Sequence, residues 1–279
     1  MSKDVQRRKA ERLLELHQGP QVCVVGSVWD VPSARIFEQA GFTALATSSA
    51  GVAYTVGYPD GEKLPAVQMI AAVGRIAAAV DIPVSADMEA GYGREPEAAV
   101  ASCRAVLDAG AVGVNLEDAA DDAPGALVPV EKHAEKIAAV RKMANAYGVP
   151  LVINARTDVF LHKVGEESGR LREAVARLQR YRNAGADCLF APGVVDAETI
   201  RALVKDVGGP LNVLATPGCP SVAELAELGV RRMSQGSGPA RAALALTRRI
   251  AQELAQSGTY AAFQRDAMPY PEANRLFEY

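Results

Sequence analysis

Along most of the chain, short apolar runs alternate with stretches in which apolar residues recur at helical spacing. The runs at 22–29 (VCVVGSVW), 44–48 (ALATS), 83–88 (PVSADM), 112–117 (VGVNLE), 151–156 (LVINAR), 187–191 (DCLFA), 211–215 (LNVLA) and 230–234 (VRRMS) have the length and composition of buried strands. Between and after them, 31–41, 63–80, 95–110, 131–147, 168–185, 196–206, 220–228 and 239–256 carry the helical pattern, several opening on capping residues or proline. A glycine precedes several strands, as in Ala40-Gly41-Phe42, Ala109-Gly110-Ala111, Ala184-Gly185-Ala186 and Leu228-Gly229-Val230. Such a residue ends a helix in the left-handed conformation before the chain turns back.

This βα rhythm, with eight candidate strands, predicts an α/β fold closed as a (β/α)₈ TIM barrel. A doubly wound sheet alternates in the same way, but no G-x-G-x-x-G follows the first strand. No Ser/Pro/Gly-rich linker divides the chain, so residues 1–279 are expected to form a single domain, with 258–279 as a C-terminal tail. An amphipathic segment at 3–17 is expected to cover the N-terminal end of the barrel.

Composition narrows the functional classes. The 279 residues are 49% hydrophobic and 23% charged, enough apolar content for a large core, with a net charge of −3. That balance gives no basic footprint for nucleic acid or anionic lipid, and no apolar run reaches the ~18 residues of a membrane span. The N-terminal segment lacks the apolar core of a signal peptide, and we read the chain as cytoplasmic. Cys23, Cys103, Cys188 and Cys219 are widely spaced and read as buried, reduced thiols.

In such a barrel, chemistry sits at the C-terminal ends of the strands. The second strand leads to Ser48, Ser49 and then Asp60, the third to Asp87 and Glu89, the fourth to Glu117 and Asp118, and the fifth carries Asn154, Arg156 and Asp158. Asp87 and Glu89, two residues apart, would project to the same side of an extended chain and repel each other unless a cation or proton lay between them. Oxygen ligands from successive strands suit Mg²⁺, with Mn²⁺ as the alternative. Arg156 beside them could neutralise the acids, but is expected instead to hold a substrate carboxylate or phosphonate.

The chain resembles the isocitrate lyase and phosphoenolpyruvate mutase superfamily. The resemblance rests on Thr47-Ser48-Ser49-Ala50, Gly57-Tyr58-Pro59-Asp60, Asp87-Met88-Glu89-Ala90-Gly91-Tyr92-Gly93, Leu116-Glu117-Asp118 and Ala155-Arg156-Thr157-Asp158, met in barrel order. It implies that Asp87 binds Mg²⁺ directly and that Asp60, Glu89 and Glu117 hold its waters. It also implies that Ser48, Ser49 and Ala50 bind the carboxylate of a 2-oxo acid, with Arg156 at the other end. Thr216 matches a hydroxyl position of the lyases, local backbone bonding being the alternative. A base, if the reaction needs one, is expected to be Glu117, Glu89 or a hydroxide on the metal.

Departures from the pattern mark a divergent branch. Isocitrate and methylisocitrate lyases carry a Lys-Lys/Arg-Cys-Gly-His loop after the fourth strand, whose cysteine protonates the enolate; here 119–128 read AADDAPGALV. The phosphonate-binding His-x-Ser-like pair of the mutases is replaced by Ala191-Pro192-Gly193. Methylisocitrate lyase has a glutamate where Pro192 falls, and the second acid of the third-strand motif is Glu89 rather than aspartate. Decarboxylation needs no dedicated cysteine acid, because water can protonate the product. The resemblance therefore implies a Mg²⁺-dependent carbon–carbon lyase acting on a small 2-oxo or 2-hydroxy acid through a metal-stabilised enolate, with an oxaloacetate decarboxylase-like activity favoured. A phosphonopyruvate or phosphoenolpyruvate mutase or hydrolase, and a non-catalytic 2-oxo-acid binding protein, are the alternatives.

The remaining candidates have plainer readings. Asp118 and Asp158 are expected to be supporting or capping residues, and His17, His133 and His162 to lie on the surface. The tail aromatics Tyr270, Phe277 and Tyr279 suggest packing on a neighbour. By the resemblance, the chain forms a homotetramer or homodimer in which the last barrel helix swaps between subunits.

Overall fold

In a computed structural model that describes residues 1–120, 125–265 and 267–278, the apolar runs pair side by side into one all-parallel sheet. Its strands are β1 (Cys23–Val24), β2 (Gly26–Val28), β3 (Leu45–Thr47), β4 (Val84–Asp87), β5 (Gly113–Glu117), β6 (Val152–Arg156), β7 (Cys188–Phe190), β8 (Leu211–Leu214) and β9 (Arg232–Ser234). Their order is β1-β9-β8-β7-β6-β5-β4-β3-β2, so the two edges of the sheet are consecutive pieces of chain.

The expected first strand, 22–29, is thus two strands broken at Val25. Val25 N–H donates to Met233 O at 2.9 Å, whereas Gly26 N–H donates to Ala44 O at 3.1 Å. The strands of a barrel are staggered, so this segment pairs with β9 in its first half and with β3 in its second. The barrel closes through that exchange. Gly26 is required there, because a Cβ would stand 2.5 Å from the Phe37 ring.

Helices α1 (Lys3–Gln18), α2 (Val31–Gln39), α3 (Ser49–Thr55), α4 (Ala66–Ala79), α5 (Pro96–Asp108), α6 (Val130–Tyr147), α7 (Glu167–Asn183), α8 (Ala197–Val207), α9 (Val222–Glu227), α10 (Gly238–Ser257), α11 (Ala261–Gln264) and α12 (Tyr270–Arg275) complete the chain. The short α3 was not expected from the pattern, since its run of small residues gives little helical contrast. Most core side chains lie between strands and helices, including Leu45, Met69, Leu116, Ile137, Leu178 and Leu203.

The amphipathic N-terminal segment covers the bottom of the barrel, as expected. Its buried stripe is Gln6, Ala10, Leu13 and His17. Gln6 Nε2 donates to Leu107 O at 2.6 Å and Ala111 O at 3.3 Å, and Lys9 Nζ donates to Val80 O at 2.8 Å. A Cβ on Gly113 would lie 2.9 Å from Leu13 Cδ2, so helix and strand meet there with no room to spare.

Two histidines expected at the surface are instead buried. His17 belongs to the stripe of α1 that faces the barrel, and His133 on α6 packs edge-on against Tyr181 with ring centroids 4.7 Å apart. A neutral imidazole is a tolerable core group, and charge-free burial was the option the expectation overlooked. His162 is half-buried near the barrel mouth. Cys23, Cys103, Cys188 and Cys219 are all free thiols, the first three buried as expected and Cys219, in the loop after β8, only partly so.

Beyond the barrel, α10 buries only Ala240, and Leu244 and Leu254 stand exposed. Tyr270 is 81% exposed and Phe277 is also exposed; Tyr279 and the loop residues Asp121, Asp122, Ala123 and Pro124 lie outside the described residues. No helix among the described residues is long and apolar enough to cross a membrane.

Candidate active site

The carboxylate of Asp87 is fixed by three neighbouring strands. Asn115 Nδ2 donates to Asp87 Oδ1 at 2.9 Å, and Asn154 Nδ2 donates to Asn115 Oδ1 at 3.0 Å. Asp87, Asn115 and Asn154 are direct register partners on β4, β5 and β6, so this row follows from strand pairing. Ser49 N–H donates to Asp87 Oδ2 at 3.2 Å, and Asp87 N–H donates to Thr47 Oγ1 at 2.9 Å.

Glu89 reaches the same region by a different route from the expected one. The strand ends at Asp87, and Glu89 has φ 50°, so the pair is not carried on one face of an extended segment. Tyr92 and Glu62 are also left-handed, with φ 60° and 56°. Side chains non-glycine in this region cost free energy and persist where their surroundings enforce them. Here Glu62 N–H donates to Glu89 Oε2 at 2.6 Å, and Tyr92 N–H donates to Glu62 Oε1 at 2.6 Å. Beneath the turn, the buried Lys136 donates to Ala90 O at 2.6 Å and Gly93 O at 2.9 Å.

Asp60 completes the group, its Oδ1 accepting from Ser49 Oγ at 3.1 Å. Burial and then the charge of Asp87 raise the pKa of Asp60. Glu89 is pushed up to about 8, first by burial and then by Asp87 and Asp60. Glu117 is raised well above the usual carboxylate range by burial, with Arg156 opposing. The charge of Asp87 is a cause common to all three, disfavouring ionisation of Asp60, Glu89 and Glu117.

Arg156 does not stand free for substrate. Its Nη1 lies 2.5 Å from Glu117 Oε2, while Nε and Nη2 donate to the two oxygens of Asp158 at 2.5 and 2.9 Å. Those pairings neutralise two of the acids, and the side chain also borders both cavities at the barrel mouth. Asp158 and Asp118 are supports, as expected. Asp118 accepts from Thr157 Oγ1, Asp158 N–H, Arg177 Nη1 and Tyr181 OH, tying the ends of β5 and β6 to α7.

Two cavities adjoin at the barrel mouth. The inner one, about 230 Å³, runs down the barrel and is lined by Ser48, Ser49, Ala50, Asp60, Asp87 and Arg156, with other barrel residues below them. The outer one, about 700 Å³, is bordered by Glu89, Glu117, Lys63, His162 and Asp158, and shares Ser49, Asp60 and Arg156 with the first. Thr216 is not among the residues lining either, and its carbonyl accepts from Cys219 N–H at 2.9 Å. Ser48 Oγ caps α3 by accepting from Gly51 N–H at 3.2 Å.

Among the described residues, no three His, Cys, Asp or Glu stand close enough to hold an ion between them. The donors gathered around the cavities are carboxylate oxygens that repel one another, without thiol or imidazole among Asp60, Asp87, Glu89 and Glu117. That set fits a hard cation held by one carboxylate and by waters, and does not fit an all-protein cage.

Residues missed from sequence include Asn115, Glu62, Lys136 and Arg232. Asn115 is two before Glu117 on the same strand face, and Lys136 interrupts the apolar face of α6; both positions were visible as polar residues at buried spacing.

The family model for phosphoenolpyruvate phosphomutase matches residues 13–255. A crystal structure from Burkholderia cenocepacia J2315 superposes with a TM-score of 0.92 at 39% identity, covering 99% of this chain and 98% of that one. An uncharacterized protein of Mycobacterium tuberculosis is 33% identical over 92% of this chain and 96% of its own length. Oxaloacetate decarboxylase 2 of Pseudomonas fluorescens (strain Pf0-1) is 28% identical over 88% of this chain and 83% of its own. The chain belongs to the phosphoenolpyruvate phosphomutase family, and so to the isocitrate lyase and phosphoenolpyruvate mutase superfamily of carbon–carbon lyases and mutases.

Proposed function

We propose that the chain is a Mg²⁺-dependent lyase that breaks a carbon–carbon bond in a small 2-oxo or 2-hydroxy acid, with decarboxylation of oxaloacetate the favoured reaction. The observation that carries this reading is the group of mutually repelling carboxylates, Asp60, Asp87, Glu89 and Glu117, around one barrel mouth. Asp87 would hold the cation directly, with Asp60, Glu89 and Glu117 bonding its waters. When bound, Mg²⁺ (or Mn²⁺) supplies a positive charge that offsets the negative charge developing on a keto oxygen.

The chain's own residues supply position and charge balance. Ser48, Ser49 and Ala50 line the inner cavity beside Asp87, where they would bind the substrate carboxylate. Asn115 and Asn154 keep the Asp87 carboxylate from rotating. Arg156, anchored on Asp158, holds Glu117 in place and presents a positive wall to both cavities. In decarboxylation the electron pair of the breaking bond passes into an enolate, and a proton from water then reaches that carbon. No cysteine is needed, which suits residues 119–128, a stretch without Cys, Lys or His. Glu117 and Glu89, which border the outer cavity, would order that water.

The competing reading is phosphonopyruvate chemistry, which the family model itself represents. Both are decided by assaying pyruvate formation from oxaloacetate, phosphonopyruvate and a 2-methylmalate-type hydroxy diacid, together with phosphoenolpyruvate formation from phosphonopyruvate, with and without Mg²⁺. Turnover of oxaloacetate that is lost in Asp87→Ala supports the proposal. Turnover confined to phosphonopyruvate, or none on any of the three, overturns it.

A further inference from the structure

The floor of the inner cavity holds a cation with no counter-charge among the described residues. Arg232, on β9, is 2% exposed and lines the cavity, yet among the described residues it makes no ion pair. Its Nη1 lies 3.2 Å from His17 Nε2, and its Nε is buried without a hydrogen-bond partner.

Its titratable neighbours His17, Cys23 and Cys188 do not neutralise it. His17 Nδ1 lies 2.6 Å from Leu13 O, so that nitrogen carries the hydrogen and Nε2 accepts from Arg232. Burial, with the charge of Arg232 second, holds the His17 pKa down at about 3. The thiols of Cys23 and Cys188, which feel the same guanidinium, are raised by burial, Cys188 to about 12. Imidazole and thiols are thus neutral at neutral pH. Two more buried atoms on residues that line the cavity have no partner, Ser85 Oγ and Asn154 Oδ1.

An arginine does not shed its proton in a protein interior, and an unpaired buried ion costs several kcal/mol. A cavity of about 230 Å³ gives the missing charge a place to sit, since one water takes up only about 30 Å³. A guanidinium fork is matched by a planar or tetrahedral oxyanion, and a serine hydroxyl can add a donor.

We propose that Arg232, with Ser85, forms an oxyanion-binding subsite at the floor of the barrel cavity, and that it takes a carboxylate or phosphonate-type group of the substrate. The group it takes must survive the reaction and be distinct from the carboxylate assigned to Ser48, Ser49 and Ala50. The far carboxylate of a 2-hydroxy diacid cleaved between C2 and C3 meets both conditions, whereas the departing carboxylate of oxaloacetate, paired to a guanidinium, would be held back as the anion. This use of the subsite rests on the lyase reading above; the subsite itself does not. The pocket then has two ends of opposite charge, acids at the mouth and an arginine at the floor, and selects for a substrate with an anionic group at depth.

The test is calorimetric titration of the full chain, in chelator and without divalent cation, with succinate, inorganic phosphate and uncharged succinamide. Succinate or phosphate is expected to bind and succinamide not to. Affinity should fall at least tenfold in both Arg232→Gln and Arg232→Met, recover in part in Arg232→Lys, and survive in Asp87→Asn. Succinate that binds and also competes with turnover of the Mg²⁺-loaded protein identifies the substrate's own group. Phosphate binding that leaves turnover unchanged identifies a resident inorganic ion, which keeps the subsite and overturns its use by substrate. Equal binding by wild type and Arg232→Gln, or no oxyanion binding by folded wild type, overturns the proposal altogether. Should the neutral variants fail to fold, Arg232→Lys decides: a lowered succinate affinity supports the subsite, and an affinity equal to wild type overturns it. Oxyanion binding without turnover would sink the lyase reading alone, and turnover without oxyanion binding would sink this one alone.

Discussion

Asn115 Nδ2 donates to Asp87 Oδ1 at 2.9 Å, and this bond sets the orientation of the carboxylate on which cation binding is proposed to depend. Residues that orient a metal-binding carboxylate are worth about 10–100-fold in affinity or activity. Asn115→Ala should therefore weaken Mg²⁺ activation by that factor, about tenfold at least, while Asn115→Asp should do worse at low Mg²⁺ by placing a further like charge beside Asp87. A Mg²⁺ titration of the initial rate reads both. Unchanged Mg²⁺ dependence in Asn115→Ala would show that Asp87 needs no such support.

Gly91 lies in the turn that brings Glu89 to the site, at φ 100°, and a Cβ there would stand 2.8 Å from Ala99 Cβ. Gly91→Ala meets both a strained backbone and a collision with α5, and should destabilise the fold by about 2–4 kcal/mol. Urea unfolding would report the loss as a lowered midpoint. A change below about 0.5 kcal/mol, the range of inert surface substitutions, would mean that the turn relaxes freely.

Much of this architecture was legible from residue spacing, and the exceptions have physical causes. The strand and helix alternation and the covering segment at 3–17 depend on local apolar periodicity, which the fold preserves. The break at Val25 depends on which neighbour each half of a strand meets, a non-local property of a staggered barrel. Asp60, Asp87, Glu89 and Glu117 were readable because barrel strands end at one mouth. The left-handed conformation of Glu89, the clamp of Lys136 and the pairing of Arg156 with Asp158 were not, since each depends on a partner distant in sequence or on a backbone choice that spacing does not encode. Arg232 was hidden for a related reason, sitting inside a barrel where a sequence reader expects apolar packing.

Glu117 and Arg156 form a largely buried ion pair at 2.5 Å. Removing one partner of such a pair costs about 3–5 kcal/mol, because a buried charge is left behind. Arg156→Met should approach that cost by stranding Glu117 and Asp158 together. In the double variant Arg156→Met with Glu117→Gln, part of the stability should return while activity stays lost. A double-mutant cycle from chemical denaturation measures the coupling. Additive losses, with no recovery in the double variant, would show that the pair contributes nothing to holding the site.

His17 and His133 carry a pH dependence that belongs to the fold rather than to catalysis. Burial lowers both pKa values to about 3, against about 6.5 in an unfolded chain. Above pH 6.5 neither state binds the proton, and the histidines leave stability unchanged. Between about 6.5 and 3 the unfolded chain binds protons that the native state refuses, so stability falls as pH falls. At pH 5.5 each histidine should cost about 1.4 kcal/mol relative to pH 7.5, and the loss should continue down towards pH 3. His133 offers the cleaner test, since His17 also supports Arg232. Urea unfolding of wild type and His133→Phe at pH 7.5 and 5.5 should give a smaller pH-dependent loss in the variant, by about one histidine's share. Identical losses in the two proteins would mean that His133 is protonated as readily in the fold as outside it.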